Sequence, residues 1–289
     1  MKVLITGAAG LVGRATAEHC NASGDEVVLY GHQDLDITDR ELVRQTILER
    51  QPEIVINCAA WTNVDACESD PEKAYAVNAH GPENLASACR EIGAVFVTIS
   101  TDYVFDGQKS GFYTQLDTPN PLSVYAASKL AGERLPMAAY DRSILVRTGY
   151  IFGTGGANFL STVVGRARKG EKLKVITDTY GTPTYANDLA VRLRELAVAD
   201  VPGIYHVVNS GPGVSFEQFT QKVLALLGKS DATVETVLAA ALNRPAPRPY
   251  NSRLRCLRSG EIGLSPLPDW ESALARFVKS ELSLDFGPK

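Results

Sequence analysis

The chain of 289 residues holds no apolar run approaching the ~20 residues needed to cross a bilayer, so no membrane-spanning segment is expected. It has no C-x-x-C pair. Its five cysteines (Cys20, Cys58, Cys67, Cys89 and Cys256) are odd in number and widely spaced. That argues against a zinc site and against a disulfide framework, and reads as small buried thiols in a reducing compartment. Positive charge is not in excess. The 29 Lys and Arg stand against 33 Asp and Glu, a formal net charge of -4, with no basic run. No footprint for nucleic acid is present. The four histidines (His19, His32, His80 and His206) lack ligand spacing, so no metal is expected. Met1 to Thr6 runs straight into a glycine loop, too early for the apolar region of a secretory signal. A cytoplasmic location follows as an expectation.

What is present is ordinary globular material, 45% hydrophobic and 21% charged, enough to build a core. The first half alternates strand and helix patterns. Strands are expected at 2–6, 26–30, 54–57, 94–100 and 143–148. Helices are expected at 11–23, 39–50, from Ser69-Asp70-Pro71 to about 91, and at 123–139. Such repeated βα units predict an α/β protein, a Rossmann-type doubly wound parallel sheet with ligands beyond the carboxyl ends of the strands. From about 150 the pattern loosens and glycine and proline become frequent, as in Gly153-Thr154-Gly155-Gly156 and Pro245-Ala246-Pro247-Arg248-Pro249. The expected division is a cofactor-binding domain over 1–150, with later segments at about 180–210 returning to it. Residues 151–289 would mainly form a smaller C-terminal substrate-binding lobe.

Gly7, Gly10 and Gly13 have the spacing G-x-x-G-x-x-G. The spacing alone is weak. It gains weight because it follows the first strand and opens the first helix, where glycines let the backbone approach a pyrophosphate and the helix N-terminus meets the phosphates. The choice between NADPH and NADH stays open. The second strand ends Tyr30-Gly31-His32-Gln33, with neither an acid for a ribose hydroxyl nor a clear cation for a 2′-phosphate. Arg14 and His32 could favour the phosphate and Asp34 the hydroxyl; plain surface roles are the alternative.

Tyr125 and Lys129 stand four apart and share one face of a helix. A nearby ammonium would lower the tyrosine pKa and make the phenol a usable acid or base. In isolation the pair could as well be a solvated helix face. Its order along the chain adds meaning. Ser100-Thr101-Asp102 ends a strand at the ligand edge of the sheet, so Thr101, Tyr125 and Lys129 would assemble a hydroxyl, a phenol and an ammonium around a reacting carbonyl. Arg248 and Arg253 are candidates for a diphosphate, because guanidinium meets phosphate oxygens bidentately. A salt bridge to one of the acids is the competing role.

Taken in order, the glycine loop, Ser100-Thr101-Asp102-Tyr103-Val104-Phe105 and Tyr125 to Lys129 resemble the extended short-chain dehydrogenases/reductases. More narrowly, the chain resembles the dTDP-4-dehydrorhamnose reductase family. Further matching segments are Leu35-Asp36-Ile37-Thr38, Asn57 to Asp65, Val77-Asn78, Gly132-Glu133, Arg147-Thr148-Gly149-Tyr150, Asn158-Phe159, Gly181-Thr182-Pro183-Thr184, Gly203-Ile204-Tyr205-His206 and Arg248 to Leu254. They cover nearly the whole chain. The resemblance implies NAD(P)H-dependent reduction of a 4-keto-6-deoxy sugar nucleotide, dTDP-4-dehydrorhamnose to dTDP-rhamnose. It implies Thr101, Tyr125 and Lys129 as catalytic positions. Gly10, Leu11 and Val12 would form the pyrophosphate loop, Asp36 and Ile37 the adenine contacts, and Ala60, Trp61 and Thr62 a loop beside the cofactor. Thr101, Asp102 and Tyr150 would meet the sugar nucleotide.

Two positions depart from the family. Tyr150 stands where the family has tryptophan, and Thr179 where it has glutamine. Both leave the sugar's identity open. A related dehydratase would carry Thr-Asp-Glu, but Tyr103 follows Asp102, which argues against dehydration. Another sugar-nucleotide ketoreductase, an epimerase using the same Tyr/Lys pair, and an NADP-binding regulatory subunit remain as alternatives. A homodimer is compatible with the sequence.

Overall fold

The computed structural model describes residues 1–155 and 158–285; Gly156 of the glycine-rich run lies outside the described residues. Four βα-type steps and a fifth strand build the first half: β1 (Lys2–Thr6), α1 (Leu11–Ala22), β2 (Glu26–Tyr30), α2 (Arg40–Arg50), β3 (Ile54–Asn57), α3 (Val64–Ser69), α4 (Pro71–Tyr75), α5 (Gly81–Ile92), β4 (Val95–Thr101), α6 (Val124–Ala139) and β5 (Ser143–Thr148). The second half contributes β6 (Ile151–Phe152), α7 (Phe159–Arg168), β7 (Leu173–Ile176), β8 (Tyr180–Gly181), β9 (Thr184–Tyr185), α8 (Ala186–Ala199) and β10 (Gly203–His206). It ends with β11 (Val214–Ser215), α9 (Phe216–Leu226), β12 (Val234–Val237) and α10 (Trp270–Asp285). Among the described residues no helix is long and apolar enough to cross a membrane.

The main sheet is parallel throughout, in the order β10-β5-β4-β3-β1-β2. Its central strands are near-continuous apolar runs because both faces are covered. Val3, Ile5, Ile54, Ile56, Val95, Val97, Ile144 and Val146 face one layer, where α1 and α8 pack on each other. Leu4, Val55 and Phe96 face the other, under α2 and α5. Successive strands therefore go to opposite sides of β1: β2 lies on one flank, β3 to β5 on the other. The reversal opens a crevice beyond the carboxyl ends of β1 and β3, the ligand position of such sheets.

The helix expected from Ser69-Asp70-Pro71 to about 91 does begin there, with the Asp70 carboxylate accepting from Lys73 N–H at 3.0 Å and Pro71 in the first turn. It is not one α-helix. A π-helical turn, Ala76–His80, sits between α4 and α5, and α3 precedes it, capped by Asn63 onto Ala66 N–H. The smaller lobe has its own core of Phe152, Leu160, Val163, Phe219, Val223, Trp270 and Phe277 beside the two-stranded pair β7–β12. All five cysteines are unbridged thiols; Cys20, Cys67 and Cys89 are buried, Cys58 and Cys256 partly so.

Candidate active site

The glycine loop lies at the crevice. Gly7 is in the left-handed region (φ +65°), and a Cβ there would meet the Ala59 backbone at 2.5 Å. A Cβ on Gly13 would stand 2.3 Å from the Gly7 carbonyl oxygen. Side chains at these positions would break the contact between the β1 loop, the β3 loop and α1. Helix α1 starts at Gly10 with no side-chain cap, so the N–H groups of its first turn, including those of Leu11 and Val12, have no capping acceptor. The cradle fits a dinucleotide pyrophosphate. Arg14, one turn into α1, donates to Gly155 O at 3.0 Å and ties the loop to the smaller lobe.

Asp34 does not stand at the tip of β2. Its carboxylate closes a turn by accepting from Gly31 N–H at 2.9 Å. Asp36 accepts from Thr38 N–H and Oγ1 at 2.9 and 2.8 Å, and these bonds hold its carboxyl below the usual range. Ile37 is buried in the core. Thr62 is exposed. Asn78 of the π-turn fixes the loop of Ala60 and Trp61 from both sides: Trp61 N–H donates to Asn78 Oδ1 at 2.8 Å, and Asn78 Nδ2 donates to Trp61 O at 3.1 Å. The other Nδ2 hydrogen reaches Ser128 Oγ on α6 at 3.1 Å. The π-turn thus couples the β3 loop to the helix that carries Tyr125 and Lys129.

Ser123 caps α6 by accepting from Ala126 N–H at 3.2 Å, which orients its first turn toward the end of β4. Tyr125, Lys129, Thr101 and Asp102 are all buried there, 4–8% exposed. Lys129 Nζ does not turn to the phenol. It donates to Ile99 O, on β4, at 2.7 Å. The expected lowering of the tyrosine pKa by its lysine is therefore not what this geometry gives. Burial dominates and pushes the Tyr125 phenol above its ordinary value, with the Thr101 hydroxyl opposing and Asp102 adding to the rise. Burial likewise brings the Lys129 ammonium down to about 8.

Thr101 Oγ1 donates to Asp102 Oδ1 at 3.1 Å and accepts from Tyr103 N–H at 3.2 Å. Asp102 lies hard against Gly149, where a Cβ would fall 2.2–2.3 Å from the carboxyl atoms. Burial pushes its carboxyl up to about 6, against the pull of the Ser252 and Thr101 hydroxyls and the nearby backbone N–H groups. The charged form is thus the one folding disfavours. Between about pH 4 and 6 the native state keeps a proton that the unfolded chain has released, so stability falls as pH rises through that window. Above it the full cost, roughly 3 kcal/mol, is present. Asp102→Asn is expected to unfold later in urea than the parent at pH 8, with the difference vanishing near pH 4. An equal difference at both pH values would contradict the assignment.

Asp102 and Tyr103 line a cavity of about 860 Å³ whose wall also includes residues of α7, β7 and α9. Its walls include Tyr150, Phe159, Phe216, Thr179, Arg166, Arg244 and Arg248. Tyr150 has left-handed backbone (φ +51°). Its ring packs on Phe216 at 4.3 Å and Phe219 at 5.1 Å. The Tyr150 Oη and Thr179 Oγ1 atoms, at the two positions that depart from the family pattern, are buried without a hydrogen-bond partner among the described residues; Thr148 Oγ1 is a third. The Arg248 fork is engaged by Asp65 at 2.7 and 2.8 Å, which holds that carboxyl down to about 2. Arg253 is not on the cavity wall. It donates to Asn251 Oδ1 and Ser110 O and lies over the rings of Phe112 and Tyr180.

Sequence reasoning assigned no site role to a buried cluster behind the site. Glu133 accepts from Arg147 Nε and Nη2 at 2.8 and 2.7 Å and from Ser100 Oγ at 2.5 Å. Arg147 Nη1 lies 3.5 Å from His206 Nε2. Burial, reinforced by Arg147, brings His206 down to about 3. The signal was available: Arg147 interrupts an apolar strand, and an arginine there needs a buried acid.

A family model described as the RmlD substrate binding domain matches residues 1–283. A dTDP-4-dehydrorhamnose reductase of Streptomyces griseus is 40% identical over 277 residues, covering 94% of this chain and 91% of that protein. The crystal structure of a dTDP-4-dehydrorhamnose reductase from Clostridium acetobutylicum superposes with a TM-score of 0.93 at 36% identity, covering 98% of this chain and 100% of that one. A dTDP-4-dehydrorhamnose reductase from Bacillus anthracis in complex with NADP also gives 0.93, at 34% identity, over 96% of this chain and 99% of that one.

Proposed function

Since the chain belongs to the RmlD substrate-binding-domain family, we propose that it is an NADPH-dependent reductase of a 4-keto-6-deoxy sugar nucleotide, converting dTDP-4-dehydrorhamnose to dTDP-rhamnose. The observation that carries this reading is the pairing of the Thr101 hydroxyl with the Tyr125 phenol at the carboxyl end of β4, with Lys129 one turn along α6 anchored on Ile99 O and Asp102, the next residue after Thr101, on the cavity wall. NADPH rather than NADH rests on the relative that binds NADP; no acid at the tip of β2 competes with a 2′-phosphate.

A bound reduced nicotinamide would supply the hydride. The protein does the rest. The first turn of α1 and Gly7 to Gly13 would hold the pyrophosphate, with the Ala60–Trp61–Thr62 loop beside the cofactor. The cavity takes the sugar nucleotide, with its aromatic wall at Tyr150 and Phe216 and its cations at Arg166, Arg244 and Arg248. Thr101 Oγ1 hydrogen-bonds the C4 carbonyl oxygen. Tyr125, kept protonated by its buried setting, gives its phenolic proton to the alkoxide that forms there. A raised phenol pKa suits this direction, because the group must hold a proton at neutral pH before it can give one. Lys129 would hold the nicotinamide ribose.

The test is NADPH oxidation by the purified chain against a panel of 4-keto sugar nucleotides, with product stereochemistry read by NMR. The expected result is turnover of dTDP-4-dehydrorhamnose to a single C4 epimer. No oxidation with any member of the panel would overturn the reading.

A further inference from the structure

We propose that Glu133 is a positioning residue that sets both the place and the charge of the Lys129 ammonium. The inference rests on the role just given to Lys129. Glu133 stands one helical turn after Lys129 on α6, so the two side chains share a face. Both are buried, 2% and 4% exposed. Lys129 Nζ is anchored on the Ile99 carbonyl on β4 at 2.7 Å. The next residue on that strand, Ser100, donates to Glu133 at 2.5 Å, and Arg147 on β5 grips the same carboxylate through two bonds. One carboxylate therefore ties α6 to both strands at the level of the lysine. It fixes the carbonyl on which Lys129 rests and the strand end that carries Thr101.

The charge argument follows from the same geometry. An ammonium out of water is costly, and burial outweighs every other influence on Lys129 and leaves it at about 8; Glu133 is the largest opposing influence. The other titratable groups facing the cluster do not compensate. Cys58, beyond β3, is a thiol that burial pushes up to about 12, and His206, on β10, is neutral above about 3. The Tyr125 phenol on α6 is raised and neutral too. The formal charges that α6, β4 and β5 bring to the cluster are Glu133 and the Arg147 bonded to it. A carboxylate one turn away supports the ammonium, and its guanidinium partner offsets part of that support.

This makes the two halves of one ion pair act in opposite directions. Selective 13Cε-lysine labelling of the full-length protein without cofactor, with the Lys129 resonance identified by its loss in Lys129→Met, gives the lysine's titration midpoint by NMR. Glu133→Gln is expected to move that midpoint to lower pH by about one unit. Arg147→Met, which leaves the carboxylate facing Lys129 alone, is expected to move it higher. Glu133→Asp is expected to return it toward the parent, and decides the matter if Arg147→Met does not fold. A merely structural pair would shift the midpoint the same way in both variants or not at all, and either result overturns the proposal. The alkaline limb of kcat/KM, measured on the same proteins, is expected to follow the NMR midpoint. If the midpoints move as stated while the limb stays put, Glu133 keeps its role and the reading of Lys129 in the reaction falls instead.

Discussion

Tyr125→Phe is expected to lower kcat by about 10²–10⁴-fold, the usual contribution of a positioned general acid. Cofactor affinity should be little changed, because the ring stays and only the proton-bearing oxygen goes. The phenol is buried and edge-on to Tyr103 at 6.3 Å between ring centres, so phenylalanine keeps the packing. Among the described residues the lost oxygen's hydrogen-bond contact is with Thr101. A drop in turnover without a drop in stability thus separates chemistry from scaffolding. Single-turnover NADPH oxidation gives the rate, and nicotinamide fluorescence gives the binding constant. Near-parental turnover would remove Tyr125 as the proton donor.

Thr101→Val gives a contrast without a new clash. It removes the hydroxyl that faces both the phenol and Asp102, yet leaves a β-branched side chain at the end of β4. Its effect on turnover is expected to be smaller than that of Tyr125→Phe, because a lost hydrogen bond leaves the proton transfer itself available.

The main sheet was legible because its strands are buried on both faces. Val3-Leu4-Ile5 and Ile54-Val55-Ile56 read as unbroken apolar runs, and the structure puts strands at those residues. The cap at Asp70 was legible too, since it hydrogen-bonds locally, within three residues. The π-turn was not. Its residues, Ala76-Val77-Asn78-Ala79-His80, carry no local mark of a widened turn; tertiary bonds from Asn78 to Trp61 and Ser128 accompany it. Nor were the two-residue strands β6, β8, β9 and β11, which are too short for a period-2 pattern. Thr101, Tyr125 and Lys129 were proposed from order and spacing, and the structure buries all three. The electrostatics could not: spacing put an ammonium beside the phenol, whereas the strand carbonyl of Ile99 captures it, so burial rather than charge governs the tyrosine.

Arg147→Ala is expected to cost about 3–5 kcal/mol of unfolding free energy at neutral pH, the usual result of stripping one partner from a buried ion pair. Both side chains of the pair are nearly sealed, 4% and 3% exposed. The variant leaves Glu133 with a single donor, Ser100, and opens a hole beneath Phe105, over whose ring the guanidinium sits at 5.2 Å. His206 Nε2 loses its contact with the Arg147 guanidinium as well. The exposed pair Arg44–Glu91 is the control, since solvent already supports both charges and Arg44→Ala should leave the urea curve nearly in place. A double variant, Glu133→Leu with Arg147→Met, tells whether the penalty belongs to the pair or to the orphaned charge. Two well-packed apolar side chains carry no unpaired charge, so the double variant is expected to be more stable than Arg147→Ala. Ser100 Oγ would then lack its acceptor, which keeps the recovery below complete. If Arg147→Ala unfolds at the parental urea concentration, the pair contributes nothing to the fold. The carboxylate would then have to be read as serving the lysine alone.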